Sequence, residues 1–145
     1  MKRIVLIILL LAMTISAVSS CAKRDFEWDA TIKDLEDEGF KVIKTSENED
    51  DLKDATDSFN SEIKFDGGDF TVKILKYANL NKTTNDNYYS CQFIEFETEE
   101  QAKKYFNHYI DARLENNKFK VRHFENIIIL TNSNEAMEIV GGSFR

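Results

Sequence analysis

Cysteine is scarce in this chain: among 145 residues only Cys21 and Cys91 occur. That excludes a disulfide framework and leaves room for no more than one internal bridge. Histidine is as rare, at His108 and His123. Neither has HExxH spacing, and zinc wants three or four nitrogen or sulfur ligands, so no metal site is expected. Basic residues are outnumbered, 19 Lys and Arg against 26 Asp and Glu, for a formal net charge of −7. Nucleic-acid binding depends on phosphate neutralisation by Lys and Arg, so that class of partner is not expected. There is no GxSxG elbow, Walker loop or Rossmann-type glycine loop. No cofactor is implied, and the expectation is a protein that is not an enzyme. Long apolar runs are missing as well. A membrane-spanning helix needs about 20 apolar residues for a core of about 30 Å. Ile4 to Val18 reaches only about 22 Å at helical rise, and Thr14 and Ser16 interrupt it.

What is present organises the chain from its first residues. Lys2 and Arg3 precede an apolar run from Ile4 to Met13, and Val18-Ser19-Ser20 then leads directly into Cys21. A plain secretory signal shares the charge and the apolar length, but it gives no reason for a cysteine directly after the small pair. Residues 1–21 resemble the type II signal peptide of bacterial lipoproteins, with Val18, Ser19 and Ser20 as the lipobox. A leucine is commoner where Val18 stands. The resemblance implies removal of residues 1–20, diacylglycerol on the Cys21 sulfur, and a protein anchored to the cell membrane on its extracytoplasmic face. One acyl chain holds only marginally, whereas two give stable attachment. Ala22, not aspartate, follows the cysteine, so no envelope-sorting signal is visible.

Removing 20 of 145 residues leaves 125, which suits one domain. Without Lys2 and Arg3 the mature chain carries 17 basic against 26 acidic residues, a formal −9. The acids are concentrated in residues 25–62, with fourteen acids against four bases. Such a surface favours solubility and repulsion from anionic surfaces. If Cys21 is lipidated, Cys91 is the only thiol; if not, a Cys21–Cys91 bridge becomes possible. Cys91 has no neighbouring His or Lys to activate it, and reads as a small buried hydrophobe. Residues 21–25 form the tether. Five extended residues reach about 17 Å, so the domain over 26–145 should ride close to the bilayer.

Hydrophobic spacing divides that domain into elements. Trp28, Ile32 and Leu35 predict a helix over 26–38, stopped at Gly39. A short strand follows over 40–44. Ser46 with Glu49 reads as a capping box for a helix with the stripe Leu52, Ala55, Thr56 and Phe59. Asp66-Gly67-Gly68-Asp69 reads as a turn, residues 70–77 as a strand, and Asn79 to Asn87 as the most polar and mobile loop. Tyr88 to Phe96 is a second long strand. Thr98 with Gln101 caps the longest helix, from Glu99 to about Asn116, with Ala102, Tyr105, Phe106, Tyr109, Ile110 and Leu114 along one side and Asn117 as its stop. Strands follow around Phe119, Val121 and His123 and over Ile127 to Leu130. The latter is apolar on both faces and so central. Asn132 or Ser133 caps a last helix through Val140, ended by Gly141-Gly142. The expected fold is α+β: a largely antiparallel sheet of about five strands with helices mainly on one face, ferredoxin-like in spirit.

Leu35 to Val42 (LEDEGFKV), Phe96 to Phe106 (FETEEQAKKYF) and Asn126 to Ile129 (NIII) together resemble small uncharacterised lipoproteins of low-GC Gram-positive bacteria. Those stretches are mostly helix caps and core stripes, so the resemblance implies an architecture and no activity.

Candidate chemistry is thin. The acids at 34–38 point around a helix, and those at 47–51 lie at a helix start, where the dipole favours them. Asp66-Gly67-Gly68-Asp69 is a better cation candidate, though a turn accounts for it. Lys118, Lys120 and Arg122 make a small positive stripe on an exposed strand face. Tyr88, Tyr89, Tyr105 and Tyr109 are available to line a binding face or to pack the core. The functional expectation is an envelope binding or accessory module that meets the membrane through Cys21 and has an envelope protein as partner. The alternatives are a small-ligand binder or enzyme acting on wall or lipid precursors, and an immunity or sensor-accessory protein.

Overall fold

Trp28, Thr31 and Leu35 lie on the inner side of the first helix, α1 (Trp28–Asp37), in the computed structural model, which describes residues 26–46, 48–113 and 119–142. Gly39, at φ +90°, turns the chain out of the helix. Its N–H donates to the Glu36 carbonyl at 2.9 Å, and the Phe40 N–H reaches back to Leu35 at 3.0 Å. Those two bonds make a Schellman ending, with Leu35 and Phe40 packing in one cluster. β1 (Lys41–Ser46) follows.

The next helix, α2 (Glu49–Phe65), begins two residues later than the Ser46 box implies. Asn48 is the cap: its Oδ1 accepts from the Asp51 N–H at 2.9 Å, and its Nδ2 donates to the Asp51 carboxylate at 2.7 Å. Ser46 is instead the buried last residue of β1. Gly67, at φ +84°, and Gly68 end α2 as the expected turn, with the Gly68 N–H on the Ile63 carbonyl at 2.8 Å.

Residues 70–73 are not strand; β2 runs from Ile74 to Thr83. The expected loop over 79–87 is therefore mostly strand. Asn79 and Asn81 pair with Gln92 and Ser90 of β3 (Tyr88–Phe96), and Leu80 between them is fully buried. Only residues 84–87 form the hairpin turn, where the Thr84 N–H donates to Asn87. Pairing on both edges outweighs the loop preference of asparagine.

Thr98 caps α3 (Glu99–Arg113), accepting from the Gln101 N–H at 3.2 Å. Leu114, Asn116, Asn117 and Lys118 lie outside the described residues, so the expected end of that helix is not placed. β4 (Lys120–Phe124) turns through Glu125, at φ +50°, into β5 (Ile127–Thr131). Ser133 caps α4 (Asn134–Gly142) by accepting from Ala136, and both terminal glycines are still helical.

The sheet order is β1-β2-β3-β5-β4, antiparallel at every neighbouring pair. α3 carries the chain past the position of β5, and the β4–β5 hairpin fills the gap. The fold is α+β with a five-stranded antiparallel sheet, as expected. The helices, however, are divided between its two faces. α1 and α4 cover Ala78, Leu80, Cys91, Phe93 and Ile129. α2 and α3 cover Ile74, Ile94, Phe96, Ile128 and Leu130. β3 and β5 are buried at alternate and intervening positions alike, so each face needs its own cover. The run β1–α2–β2–β3–α3–β4 has the βαββαβ order of the ferredoxin-like fold, to which this chain adds α1, α4 and a strand β5 lying between β3 and β4. Among the described residues no helix is long and apolar enough to cross a membrane.

Candidate functional site

On the α2–α3 side the layers leave a cleft of about 290 Å³. α2 supplies Ser58, Phe59 and Glu62, residues close enough in helical spacing to share one side. α3 supplies Tyr105 and Tyr109, one turn apart. Tyr77 of β2, Gln92 of β3 and Leu130 of β5 form the floor, and Phe119 closes the end before β4.

The rings set the shape. Phe59 stands 5.4 Å from Tyr105 at 50° and 6.2 Å from Tyr77 at 72°, centroid to centroid. Tyr105 lies 6.2 Å from Tyr109 and 5.3 Å from Phe96 beneath it. Rings inclined in this way form walls, not a flat stack, and Tyr105 and Tyr109 are only 3% and 5% exposed. Burial raises the Tyr77 phenol above its usual pKa, and the Glu62 carboxylate adds to the effect. Gln92 is a polar group on a sheet face that also carries Ile94, Phe96, Ile128 and Leu130. Across the pairing from it stands Asn79, whose buried Oδ1 has no hydrogen-bond partner among the described residues.

Tyr105 and Tyr109 are packed in the core on this side of the sheet, and each also lines the cleft. Tyr88 lies at the turn end of the β2–β3 hairpin, 57% exposed, and Tyr89 packs against the opposite cluster. Tyr77, Gln92, Phe59 and Glu62 are not evident as site residues from sequence. The one available signal is Gln92, a polar residue in register with the apolar positions of its strand.

Elsewhere the candidates separate. Cys91 is fully buried under α1 and α4, on the face away from the cleft. Burial pushes its thiol up to about 12, a hydrogen bond with Thr131 offsetting part of the rise. Such a thiol carries no useful thiolate near neutrality. His108 stacks edgewise on Phe70 at 5.6 Å, and His123 donates from Nε2 to the Glu125 carbonyl at 2.6 Å. No group of three His, Cys, Asp or Glu among the described residues is placed to hold a metal. Lys120 and Arg122 are exposed on edge strand β4. Val18, Ser19, Ser20 and Cys21 lie outside the described residues. Comparison with protein families, curated proteins and solved structures returns no match.

Proposed function

We propose that this chain is an extracytoplasmic lipoprotein, held at the cell membrane by diacylglycerol on Cys21, and that its folded domain is a binding module of the cell envelope. The observation that carries the proposal is the order of residues 2–21: two basic residues, a ten-residue apolar run, and Val18-Ser19-Ser20 against Cys21. The packing of Phe26 supports a short tether. Its ring lies 5.7 Å from Phe93 and 5.9 Å from Trp28, so ordered contact with the domain begins within five residues of the cysteine.

Within that reading, the cleft supports a small ligand as what the module binds. It gathers a carboxylate, a primary amide and three phenols from four separate elements around one concavity. Concave, largely aromatic sites with a few convergent polar groups are how proteins hold small molecules.

Growth of a bacterial host with an alkynyl fatty acid tests the anchor. The wild-type chain is expected to carry the label and to migrate without its leader, and Cys21→Ala to carry none. Equal labelling of both, or an unlabelled wild type, would contradict the proposal.

A further inference from the structure

We infer that the outer edge of β4 takes an extended acidic segment of a partner protein as an added strand. Neither the anchor nor the cleft is needed for it. β4 is the last strand of the sheet, and among the described residues nothing pairs with its outer side. Its neighbour shows which backbone groups it offers. The Asn126 carbonyl accepts from the Phe96 N–H at 2.8 Å, and the Asn132 N–H donates to the Ser90 carbonyl at 3.3 Å. Residues 126 and 132 thus turn their backbone toward β3, and by alternation Ile127, Ile129 and Thr131 turn theirs toward β4. Their partners are Phe124, Arg122 and Lys120. That leaves the N–H and C=O groups of Val121 and His123 directed outward, where a further strand can pair with them.

Side chains set the sign of the partner. Val121 packs with the α2–α3 cluster, and the His123 ring lies 5.5 Å from Phe106 of α3. Lys120 and Arg122 therefore stand on the opposite face, and both are exposed. The Arg122 guanidinium lies beside Gly141 of α4, on that face. Neither base has an ion-pair partner among the described residues, whereas Lys73 and Lys82 are held by Glu97 and Glu135 at 2.7 and 2.8 Å. Acidic side chains at alternate positions of an added strand meet both bases. β4 itself holds no acid. The acids are concentrated in residues 25–62, whose strand β1 forms the far edge of the sheet. That edge is a poorer template. Its register breaks between Val42 and Lys44, and Lys44 is taken up by Asp51 at 3.5 Å. β4 pairs without a break from Lys120 to Phe124. A second copy of β4 fits less well than an acidic strand, because its bases would meet Lys120 and Arg122 across the new seam.

The test uses the full chain in maltoside micelles, titrated with blocked peptides that alternate threonine with glutamate, glutamine or lysine. Calorimetry gives the affinities, and hydrogen exchange follows the Val121 and His123 amides. The glutamate peptide is expected to bind about fivefold more tightly than the glutamine peptide, as a pair of exposed ion pairs allows. It should also slow exchange at both amides. Lys120→Glu combined with Arg122→Glu should transfer the preference to the lysine peptide, while Lys33→Glu on α1 leaves it unchanged. The inference is overturned if a chain that melts cooperatively binds no glutamate peptide, or binds all the peptides equally. Protection that appears at β1 in place of Val121 and His123 overturns it too. If phosphatidylglycerol added to the micelles moves the Arg122 side-chain signal and the glutamate peptide does not, the stripe is a membrane contact and the inference fails.

Discussion

Gly68 shows how tightly single positions are determined. A Cβ added there would lie 2.5 Å from the Ile63 Cγ2 and 3.0 Å from the Ile63 carbonyl oxygen. Backbone and a fully packed side chain would both have to move. Gly68→Ala should therefore destabilise the domain by about 1–3 kcal/mol, seen as a lower urea midpoint with unchanged slope. At Cys91 the argument concerns protons. Its thiol is held at about 12 against an ordinary 9.0, so the unfolded chain releases this proton first as pH rises. The folded state then binds more protons than the unfolded one, and stability falls with rising pH between those values. The contribution is complete below pH 9 and lost by about 12. Cys91→Ala should flatten the alkaline limb of the stability profile, measured by denaturant titration across that range. A native thiol that reacts with maleimide at neutral pH as fast as free cysteine would contradict this account of the site.

At the scale of elements, the segment before β2 is held mostly by helix side chains, with one backbone bond from the Glu97 N–H, just past β3, to the Lys73 carbonyl at 2.9 Å. Asn60 accepts from the Val72 N–H at 2.8 Å and donates to the Val72 carbonyl at 3.0 Å. Gln101 accepts from the Lys73 N–H at 2.9 Å, and Thr56 from the Ile74 N–H at 3.1 Å. α2 and α3 are thereby stitched to the strand that supplies Tyr77. Asn60→Ala removes both bonds to Val72 and should cost about 2–3 kcal/mol. Amide exchange at Val72 should accelerate more than at Leu80 in the middle of β2. This stitching is why residues 70–73, which alternate like a strand, are not one: the partners are far away in sequence. The opposite error arises at Asn79 to Thr83, where a polar run becomes a paired strand. Elements whose signals are local, such as the Gly39 stop and the Thr98 cap, are legible directly.

For the molecule as a whole, the α+β class and the antiparallel sheet follow from the order of elements. The division of helices between two faces does not, although the double-sided burial of β5 is its trace in the sequence. The cleft is harder to foresee. Its residues come from α2, β2, β3, α3 and β5, and their convergence depends on a strand order that spacing alone does not specify. The proposed anchor is the reverse case, since its residues are consecutive in the sequence and lie outside the described structure. Negative charge is concentrated in residues 25–62, where α1 lies over one face of the sheet and α2 over the other.

Intact-mass spectrometry of the protein purified with its membrane from the native host tests the lipoprotein proposal most directly. The account predicts a chain that begins at Cys21, heavier than its 125 residues by a diacylglycerol group. A free thiol at Cys21, or a chain that still carries residues 1–20, would contradict it.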